Sequence, residues 1–239
     1  MEDFFHELKN KIKGEVLNDE YTLGMYSTDA SIYQIKPKAV VFPKDEEDVK
    51  KAVSIGNEYG ITILPRGAGT SLAGQTVGSS IILDFSKYMN QILEVNEAER
   101  WVRVQPGMAR DDLNAIVGKY GLHFAPDPAT SSRANVGGMV GNNSSGTKSI
   151  IYGKTVDHIL EVKALLADGT VLQLSKKTQS EIDKIIENGD REGDIYEEFR
   201  KIISANREAI KERYPKVMRR VGGYNLDEFV NTENWNLRK

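Results

Sequence analysis

The sequence predicts an α+β fold in which a parallel β-α-β unit is followed by antiparallel strand pairs. Residues 39–42, 61–64 and 80–84 are short, mainly apolar runs, as in parallel strands that are buried on both faces. Further along the chain, the polar turn 96–100 and the dipeptide Asp168-Gly169 each separate two strand-like runs. These two turns predict antiparallel pairs.

Helices are predicted before and between these strands. Apolar residues recur at helical spacing over residues 4–16, which predicts an amphipathic lead-in helix. Acidic residues open a helix over 45–59, and Gly60 is suited to end it. A further helix is predicted over about 110–120, again followed by a glycine, Gly121.

The composition becomes charged beyond Leu174. Helices are expected near 180–187 and 195–213, and an irregular tail is expected after Pro215. We therefore divide the chain into a helical lead-in, a central domain and a charged helical extension, over residues 1–36, 37–175 and 176–239.

Composition restricts the classes of function. The net charge of -3 gives no broad positive field, so we expect no nucleic-acid partner. The chain has no cysteine, which excludes disulfides, thiolate nucleophiles and cysteine-ligated metal centres within it. No apolar run reaches the length of a transmembrane segment, and the first residues resemble neither a secretory signal nor a transit peptide. We expect a cytoplasmic protein, with peripheral attachment to the inner membrane face left open.

The first glycine-rich loop, predicted over 65–75, directly follows a strand. Its glycines permit positive φ and close approach, so consecutive amides can converge on an anion, with the Thr70 and Ser71 hydroxyls as further donors. Arg66 either adds charge or pairs with a carboxylate. A mobile surface turn explains the string equally well in isolation. A Rossmann fingerprint is not met, because Leu72 stands where its third glycine belongs.

The second glycine-rich segment, 125–146, is almost free of bulky side chains. Two prolines stiffen its start, and Gly137-Gly138 would let the backbone come very near a ligand. A phosphate loop of the nucleotide-hydrolase type is not met, because Thr147 separates Gly146 from Lys148. The alternative is a disordered linker, but the apolar elements on both sides favour a ligand-binding segment.

The ordered set of motifs carries a family resemblance. PRGAGTSLAGQ, then PGMARDDLNAIVGKYGLHFAPDP, then ANVGGMVGNNSSG followed by Tyr152-Gly153-Lys154-Thr155, resembles the FAD-binding domain of the vanillyl-alcohol-oxidase (PCMH) type. Within that group the chain is most similar to the glycolate oxidase subunit and D-lactate dehydrogenase branch. It also resembles large bacterial proteins that fuse such a domain to an iron–sulfur region. The resemblance runs from about Ala39 to Leu174.

The resemblance implies a two-subdomain fold with FAD lying between the subdomains. Some relatives attach FAD covalently through a histidine at the position that Thr70 occupies here, so non-covalent FAD is implied. No catalytic or metal-binding residue is assigned. The cofactor-binding residues that the resemblance implies are Arg66, Gly67, Ala68, Gly69, Thr70, Ser71, Gln75, Asp127, Pro128, Thr130, Gly137, Gly138, Asn142, Ser145, Gly146, Tyr152 and Gly153.

The resemblance also implies a reaction and parts that this sequence does not contain. Relatives continue into an S-E-G-T-L-like segment and a substrate domain, so we expect an N-terminal portion of a longer protein. The implied activity is oxidation of a D-2-hydroxy acid of the lactate, glycolate or 2-hydroxyglutarate type by hydride transfer to flavin N5, with an iron–sulfur centre as a possible electron acceptor. The alternatives are a non-redox module that binds a diphosphate-containing ligand and a truncated structural domain.

The remaining ionisable candidates are weak. The three histidines show no metal-ligand spacing; His6 is expected at the surface, and His123 and His158 are expected to be half-buried residues near strands. Arg219, Arg220 and Tyr224 resemble a segment that some relatives hold near the active site, where a guanidinium can clamp a carboxylate. A solvated charged tail is the preferred interpretation of that segment.

Overall fold

The computed structural model describes residues 2–218, 223–230 and 232–238. Contacts between elements divide the chain into two units. The first unit comprises residues 1–155 and 167–169, and the second comprises residues 156–166 and 170–239. Each unit has a hydrophobic core of its own.

The first unit is built on a sheet of four strands, β1 (Glu15–Leu17), β2 (Ala39–Phe42), β3 (Ile63–Arg66) and β4 (Ile81–Asp84). Their order in the sheet is β1-β2-β4-β3. β2, β4 and β3 are parallel, which confirms the predicted parallel unit, and β1 pairs antiparallel with β2. The two central strands are buried along their whole length, as expected for the apolar residues of β2 and for Ile81, Ile82 and Leu83 of β4. The Asp84 carboxylate at the end of β4 is buried with hydrogen bonds from Tyr26 and Ser86.

The lead-in is only partly helical. Helix α1 spans Glu2–Lys11, and Val16, which the sequence assigns to the same helix, lies in β1. The carboxylate of Asp48 accepts hydrogen bonds from the amides of Lys13 and Gly14. These bonds hold the chain in a turn after α1, and this tertiary contact is the reason that the helical prediction for Val16 is wrong.

Helix α1 and helix α3 (Glu46–Glu58) pack on one side of the sheet, with the short helix α2 (Glu20–Met25) between β1 and β2 in the chain. The Asp45 side chain caps α3, and Gly60, with φ of +62°, follows its end, so the helix predicted over 45–59 is confirmed. The apolar face of α1 joins a core shared with the sheet, formed by Phe4, Leu8, Ile12, Val16, Ala39, Val41, Ala52, Ile55, Ile81 and Leu83.

A hairpin and a helix form the next layer of the first unit. Strands β5 (Ile92–Asn96) and β6 (Trp101–Val104) pair antiparallel, as the turn 96–100 predicts. Helix α4 (Arg110–Val117) continues into one 3₁₀ turn and ends at Gly121, whose φ is +66°. The predicted helix over 110–120 is therefore confirmed, with a tightened last turn.

The second glycine-rich segment is not a loop throughout. Helix α5 (Val136–Gly141) lies inside it, and helices α6 (Ser149–Tyr152) and α7 (Thr155–His158) follow. The sequence contains too many glycines over 136–141 to predict a helix from propensity. Tertiary packing stabilises this helix despite its low helix propensity, because Val136 and Met139 are buried.

Beyond α7, the described residues of the second unit contain a hairpin and three further α-helices. Strands β7 (Val162–Leu165) and β8 (Val171–Leu174) pair antiparallel, as Asp168-Gly169 predicts. The helices predicted near 180–187 and 195–213 are confirmed, the latter as two helices that meet at Asn206. The remaining elements are β9 (Lys177–Thr178), α8 (Gln179–Glu187), α9 (Arg191–Ala205), α10 (Arg207–Arg213), a 3₁₀ turn (Leu226–Phe229) and β10 (Asn234–Trp235).

The end of the chain is not an irregular, solvated tail where the structure describes it. β10 pairs with β9, and Phe229, Val230 and Trp235 are buried in the core of the second unit. The ring of Phe199 contacts the rings of Phe229 and Trp235 edge-on. Those aromatic residues are too far apart in the sequence to show a period, so the prediction of an irregular tail is wrong. No helix in the described part of the chain has the length and hydropathy needed to span a membrane.

Candidate functional site

The first glycine-rich loop begins two residues later than the sequence predicts. Pro65 and Arg66 still belong to β3, where they pair with Leu83 and Asp84, so the loop itself covers residues 67–75. β3 is an edge strand, and an edge strand tolerates a proline because the missing N–H can face away from the sheet. The loop thus leaves the carboxyl end of a parallel strand, where α/β sheets commonly place ligands.

This loop presents a run of unpaired backbone amides. Among the described residues, none accepts a hydrogen bond from the amides of residues 67–72. Gly69 has φ of +66° and Gly74 has φ of +76°, a region that glycine enters without strain. A glycine-rich turn in which several consecutive N–H groups have no acceptor within the described protein is suited to hold an anion.

The second segment touches the first loop at Asn135. A Cβ atom on Gly67 would lie 2.3 Å from Asn135 Oδ1, so this side chain packs directly on the loop backbone. Asn135 Nδ2 donates to the carbonyl of Gly107 at 2.6 Å, while its Oδ1 is buried without a hydrogen-bond partner in the described structure. The two glycine-rich segments therefore meet at Gly67 and Asn135, which are 68 positions apart in the sequence.

The adjacent glycines of α5 have different surroundings. A Cβ atom on Gly137 would lie 2.7 Å from Pro106 Cβ and 3.1 Å from Pro106 O, so Gly137 is required by packing within the protein. A Cβ atom on Gly138 would meet nothing within 4 Å, and Gly138 is exposed. Of these two glycines, Gly138 is the one that is open to a ligand.

Asp127 holds the turn at the end of the second segment. Its carboxylate accepts hydrogen bonds from the amide of Lys148 at 3.0 Å and from the hydroxyl of Thr147 at 3.1 Å. The amide of Gly146 donates to Ser149 Oγ at 3.0 Å. In this structure the two carboxylate oxygens of Asp127 bind the protein's own backbone and hydroxyl groups.

Gly146→Ala is expected to destabilise the first unit by about 2 kcal/mol or more, because overpacking against rigid backbone has that magnitude. Its Cβ atom would lie 1.9 Å from Asp127 O, a backbone atom that cannot move aside cheaply. Gly141→Ala is the matched control, since its Cβ atom would meet nothing within 4 Å. Urea unfolding of both variants measures the difference, and equal stability would contradict the packing argument.

Helix α4 fixes the 126–134 segment, a role that the sequence did not reveal. The buried Arg110 donates from Nε to the carbonyl of Pro126 at 2.9 Å, and its amide donates to Ala134 O at 3.0 Å. The Asp111 carboxylate accepts from the hydroxyl of Ser131. The hydrogen bond from Arg110 is the largest effect on the pKa of Asp111 and lowers it; burial opposes this, and the hydrogen bond from Ser131 adds a smaller lowering effect. In the sequence, the adjacent Arg110 and Asp111 at the start of the predicted helix could have indicated that this helix holds a neighbouring segment by hydrogen bonds.

The other expected site residues have mainly local contacts. The carbonyl of Gln75's side chain accepts from the amide of Ala73, and the backbone carbonyl of Thr130 accepts from the amides of Arg133 and Ala134. Gly153 has φ of +80°. Within the two segments, Thr70, Ser71, Pro128 and Ser145 are half-buried, and Ala68 and Asn142 are exposed; Tyr152, at the end of α6, is also exposed.

The three histidines differ in their exposure to solvent. His123 is exposed and lies outside any strand, so the prediction of a half-buried strand histidine is wrong; the chain turns after Gly121 without forming a strand. His158 is half-buried at the end of α7, and His6 is exposed as expected. Tyr224 is exposed, whereas Arg219 and Arg220 lie outside the described residues.

The part of the chain that contains the two glycine-rich segments matches a known protein family. Residues 37–175 match the family described as FAD binding domain. The D-2-hydroxyglutarate dehydrogenase of Pseudomonas putida is 39% identical over 228 residues, which are 94% of this chain and 23% of that protein. The glycolate oxidase subunit GlcD of Bacillus subtilis is 34% identical over 161 residues, covering 66% of this chain and 34% of that protein.

Solved structures show the same fold. An alkyldihydroxyacetonephosphate synthase aligns with a TM-score of 0.67 at 23% identity, over 73% of this chain and 35% of that one. The 6-hydroxy-D-nicotine oxidase of Arthrobacter nicotinovorans aligns with a TM-score of 0.60 at 26% identity, over 69% of this chain and 36% of that one. These likenesses confirm the predicted α+β fold of the PCMH type.

The family match covers most of this chain, whereas the relatives are much longer than the chain. The chain spans about a quarter of the length of the D-2-hydroxyglutarate dehydrogenases that it matches, but the family match covers more than half of this chain. The chain therefore belongs to the FAD binding domain family.

Proposed function

We propose that this chain is the FAD-binding part of a flavin-dependent dehydrogenase that oxidises a D-2-hydroxy acid. The observation that carries the proposal is the run of unpaired amides over residues 67–72, at the carboxyl end of β3. A dinucleotide diphosphate is the anionic group that such a glycine-rich run fits. The names of the relatives, D-2-hydroxyglutarate dehydrogenase, D-lactate dehydrogenase and glycolate oxidase subunit, support the substrate class.

We propose that the site residues have three different roles. The amides of residues 67–71, with the hydroxyls of Thr70 and Ser71, would hold the diphosphate. The open face at Gly138 would admit the cofactor backbone. Asp127 and Gly146 would keep the 146–148 turn in place. The remaining members of the proposed set are Arg66, Gln75, Pro128, Thr130, Gly137, Asn142, Ser145, Tyr152 and Gly153.

This chain's residues would bind and orient the cofactor, and we assign no catalytic residue to them. When bound, FAD supplies an acceptor at N5 for the hydride from the hydroxy-acid α-carbon. We propose that a further domain of the longer protein binds the hydroxy acid and that an iron–sulfur centre outside this chain accepts the electrons. We place the protein in the cytoplasm.

We propose that FAD is held without a covalent bond. The first glycine-rich loop contains no histidine, cysteine or tyrosine, and Thr70 stands at the position where some relatives attach the flavin. Acid precipitation is expected to leave all flavin absorbance in the supernatant. A yellow pellet would contradict this part of the proposal.

The decisive experiment is a titration of the flavin-free protein with FAD, followed by flavin fluorescence and by thermal unfolding. Saturable binding with a rise in melting temperature is expected, because a ligand that binds only the folded state stabilises it. ADP-ribose, which carries the same diphosphate without the flavin, is the comparison ligand. Equal affinity for both ligands would favour a non-redox diphosphate module, and no response to either would overturn the proposal.

A further inference from the structure

A short segment that precedes the family match lies against the first glycine-rich loop. This brace segment, residues 26–34, is itself well ordered by hydrogen bonds. Thr28 and Gln34 form an antiparallel bridge, and the amide of Ile35 donates to Ser27 O at 2.9 Å. The amide of Ser31 donates to Asp29 Oδ1 at 2.8 Å. The segment can therefore serve as a fixed support for a neighbouring loop.

The brace segment contacts the loop at its middle and at its end. The amide of Ala30 donates to Gly69 O at 3.0 Å. At the end of the loop, Asp29 Oδ2 accepts from the hydroxyl of Thr76 at 2.9 Å and from its amide at 3.4 Å. The ring of Tyr33 covers Gly74, where a Cβ atom would lie 2.7 Å from Tyr33 Cδ2.

The Arg66 guanidinium joins the brace segment to both ends of the loop. It donates to the carbonyls of Thr28 at 2.8 Å, Thr76 at 3.0 Å and Tyr26 at 3.3 Å. Burial lowers the pKa of Arg66, although the charges of Asp84 and Asp29 oppose this effect. Three backbone carbonyls accept from this guanidinium, so Arg66 acts on the loop backbone. This role differs from both roles that the sequence left open, a charge beside an anion and a pair with a carboxylate.

Asp29 stays charged in this setting. Burial alone would raise the pKa of its carboxyl group, but hydrogen bonds from Ser31 and Thr76 outweigh burial and lower it. A charged acceptor makes stronger hydrogen bonds than a neutral one. The contact between Asp29 and Thr76 is therefore a strong constraint on the end of the loop.

We propose that the brace segment is part of the cofactor site and that Asp29 is a positioning residue, which acts on the diphosphate through the first glycine-rich loop without touching it. This inference rests on the proposed function for its ligand. It adds a functional role to residues outside 37–175, the range of the family match. An anion site made of backbone amides depends on the loop conformation more than on any one side chain.

The test compares Asp29→Ala with Asp19→Ala. Asp19 accepts from the amide and hydroxyl of Thr22 at 2.9 and 2.7 Å, so its loss removes the same types of hydrogen bond away from the loop. Asp29→Ala is expected to weaken FAD binding about tenfold or more, as loss of hydrogen bonds to a charged group predicts. Thr76→Val should weaken it by a smaller factor. Asp19→Ala should leave the affinity unchanged.

A second measurement needs no flavin. Leu72, at the exposed tip of the loop, is 81% exposed, so chymotrypsin cleavage after it, followed by mass spectrometry, reports loop mobility. Asp29→Ala is expected to speed this cleavage and Asp19→Ala is not. If the parent protein binds no FAD, the proposed function fails, and the cleavage rates still decide whether Asp29 positions the loop. Equal affinity losses or equal cleavage rates in the two variants would overturn the inference.

Discussion

Gly138→Leu is expected to abolish measurable FAD binding, with a loss of at least about a hundredfold, while the flavin-free protein stays as stable as the parent. A leucine at this position meets no protein atom within 4 Å of its Cβ, and leucine has a higher helix propensity than glycine. The added side chain would occupy the exposed face where the cofactor is proposed to lie. FAD affinity should therefore fall while the stability of the flavin-free protein stays the same. If Gly138 had a packing role instead, stability would fall as well.

Two other glycines provide the controls for this prediction. Gly118→Leu adds the same side chain at an exposed position next to α4 with nothing within 4 Å of its Cβ, and FAD affinity should not change. Gly137→Ala should lower the melting temperature of the flavin-free protein, because its Cβ would press on Pro106. FAD titration and thermal unfolding measure both quantities. Normal FAD binding by Gly138→Leu would remove Gly138 from the site.

The contrast between Gly137 and Gly138 shows how far sequence can locate such a site. Both glycines were expected to let the backbone approach a ligand, because glycine permits close approach of any neighbour. For Gly137 the neighbour is Pro106, thirty-one residues earlier in the chain. Such a contact leaves no periodic signal. The sequence could thus predict the two glycine-rich segments, but not which of their residues face the ligand.

The fold was predictable where one element carries its own pattern. The strand β2 is apolar throughout and β4 is apolar up to Asp84, and Asp45 and Gly60 mark the ends of α3. Elements that depend on distant contacts were missed. Helix α5 contains three glycines among its six residues, and β1 follows from a turn that a side chain on α3 holds.

That turn gives the second large effect, which is expected for Asp48→Ala. Asp48 is fully buried, and its carboxylate accepts hydrogen bonds from the amides of Lys13 at 2.8 Å, Gly14 at 2.9 Å and Lys44 at 3.0 Å. Removing the carboxylate leaves three N–H groups without their acceptor. We expect the free energy of unfolding to fall by about 3 to 5 kcal/mol, since each abandoned buried donor costs about 1 to 3 kcal/mol.

Asp45→Ala is the matched control, three residues earlier at the start of the same helix. Asp45 caps α3 through the amide of Asp48 at 3.0 Å and forms an exposed ion pair with Lys13. Losing a cap costs about 1 kcal/mol, and an exposed ion pair contributes little more. In urea unfolding, the free energy of unfolding of Asp48→Ala should therefore be well below that of Asp45→Ala. This ranking tests whether the residues before the family match belong to the folded unit, because the buried Asp48 accepts hydrogen bonds from the amides of the turn after α1, whereas Asp45 contacts that turn through an exposed ion pair. Equal stabilities would mean that α1 and β1 add little to the first unit, and the brace segment that follows them would then lack a fixed base.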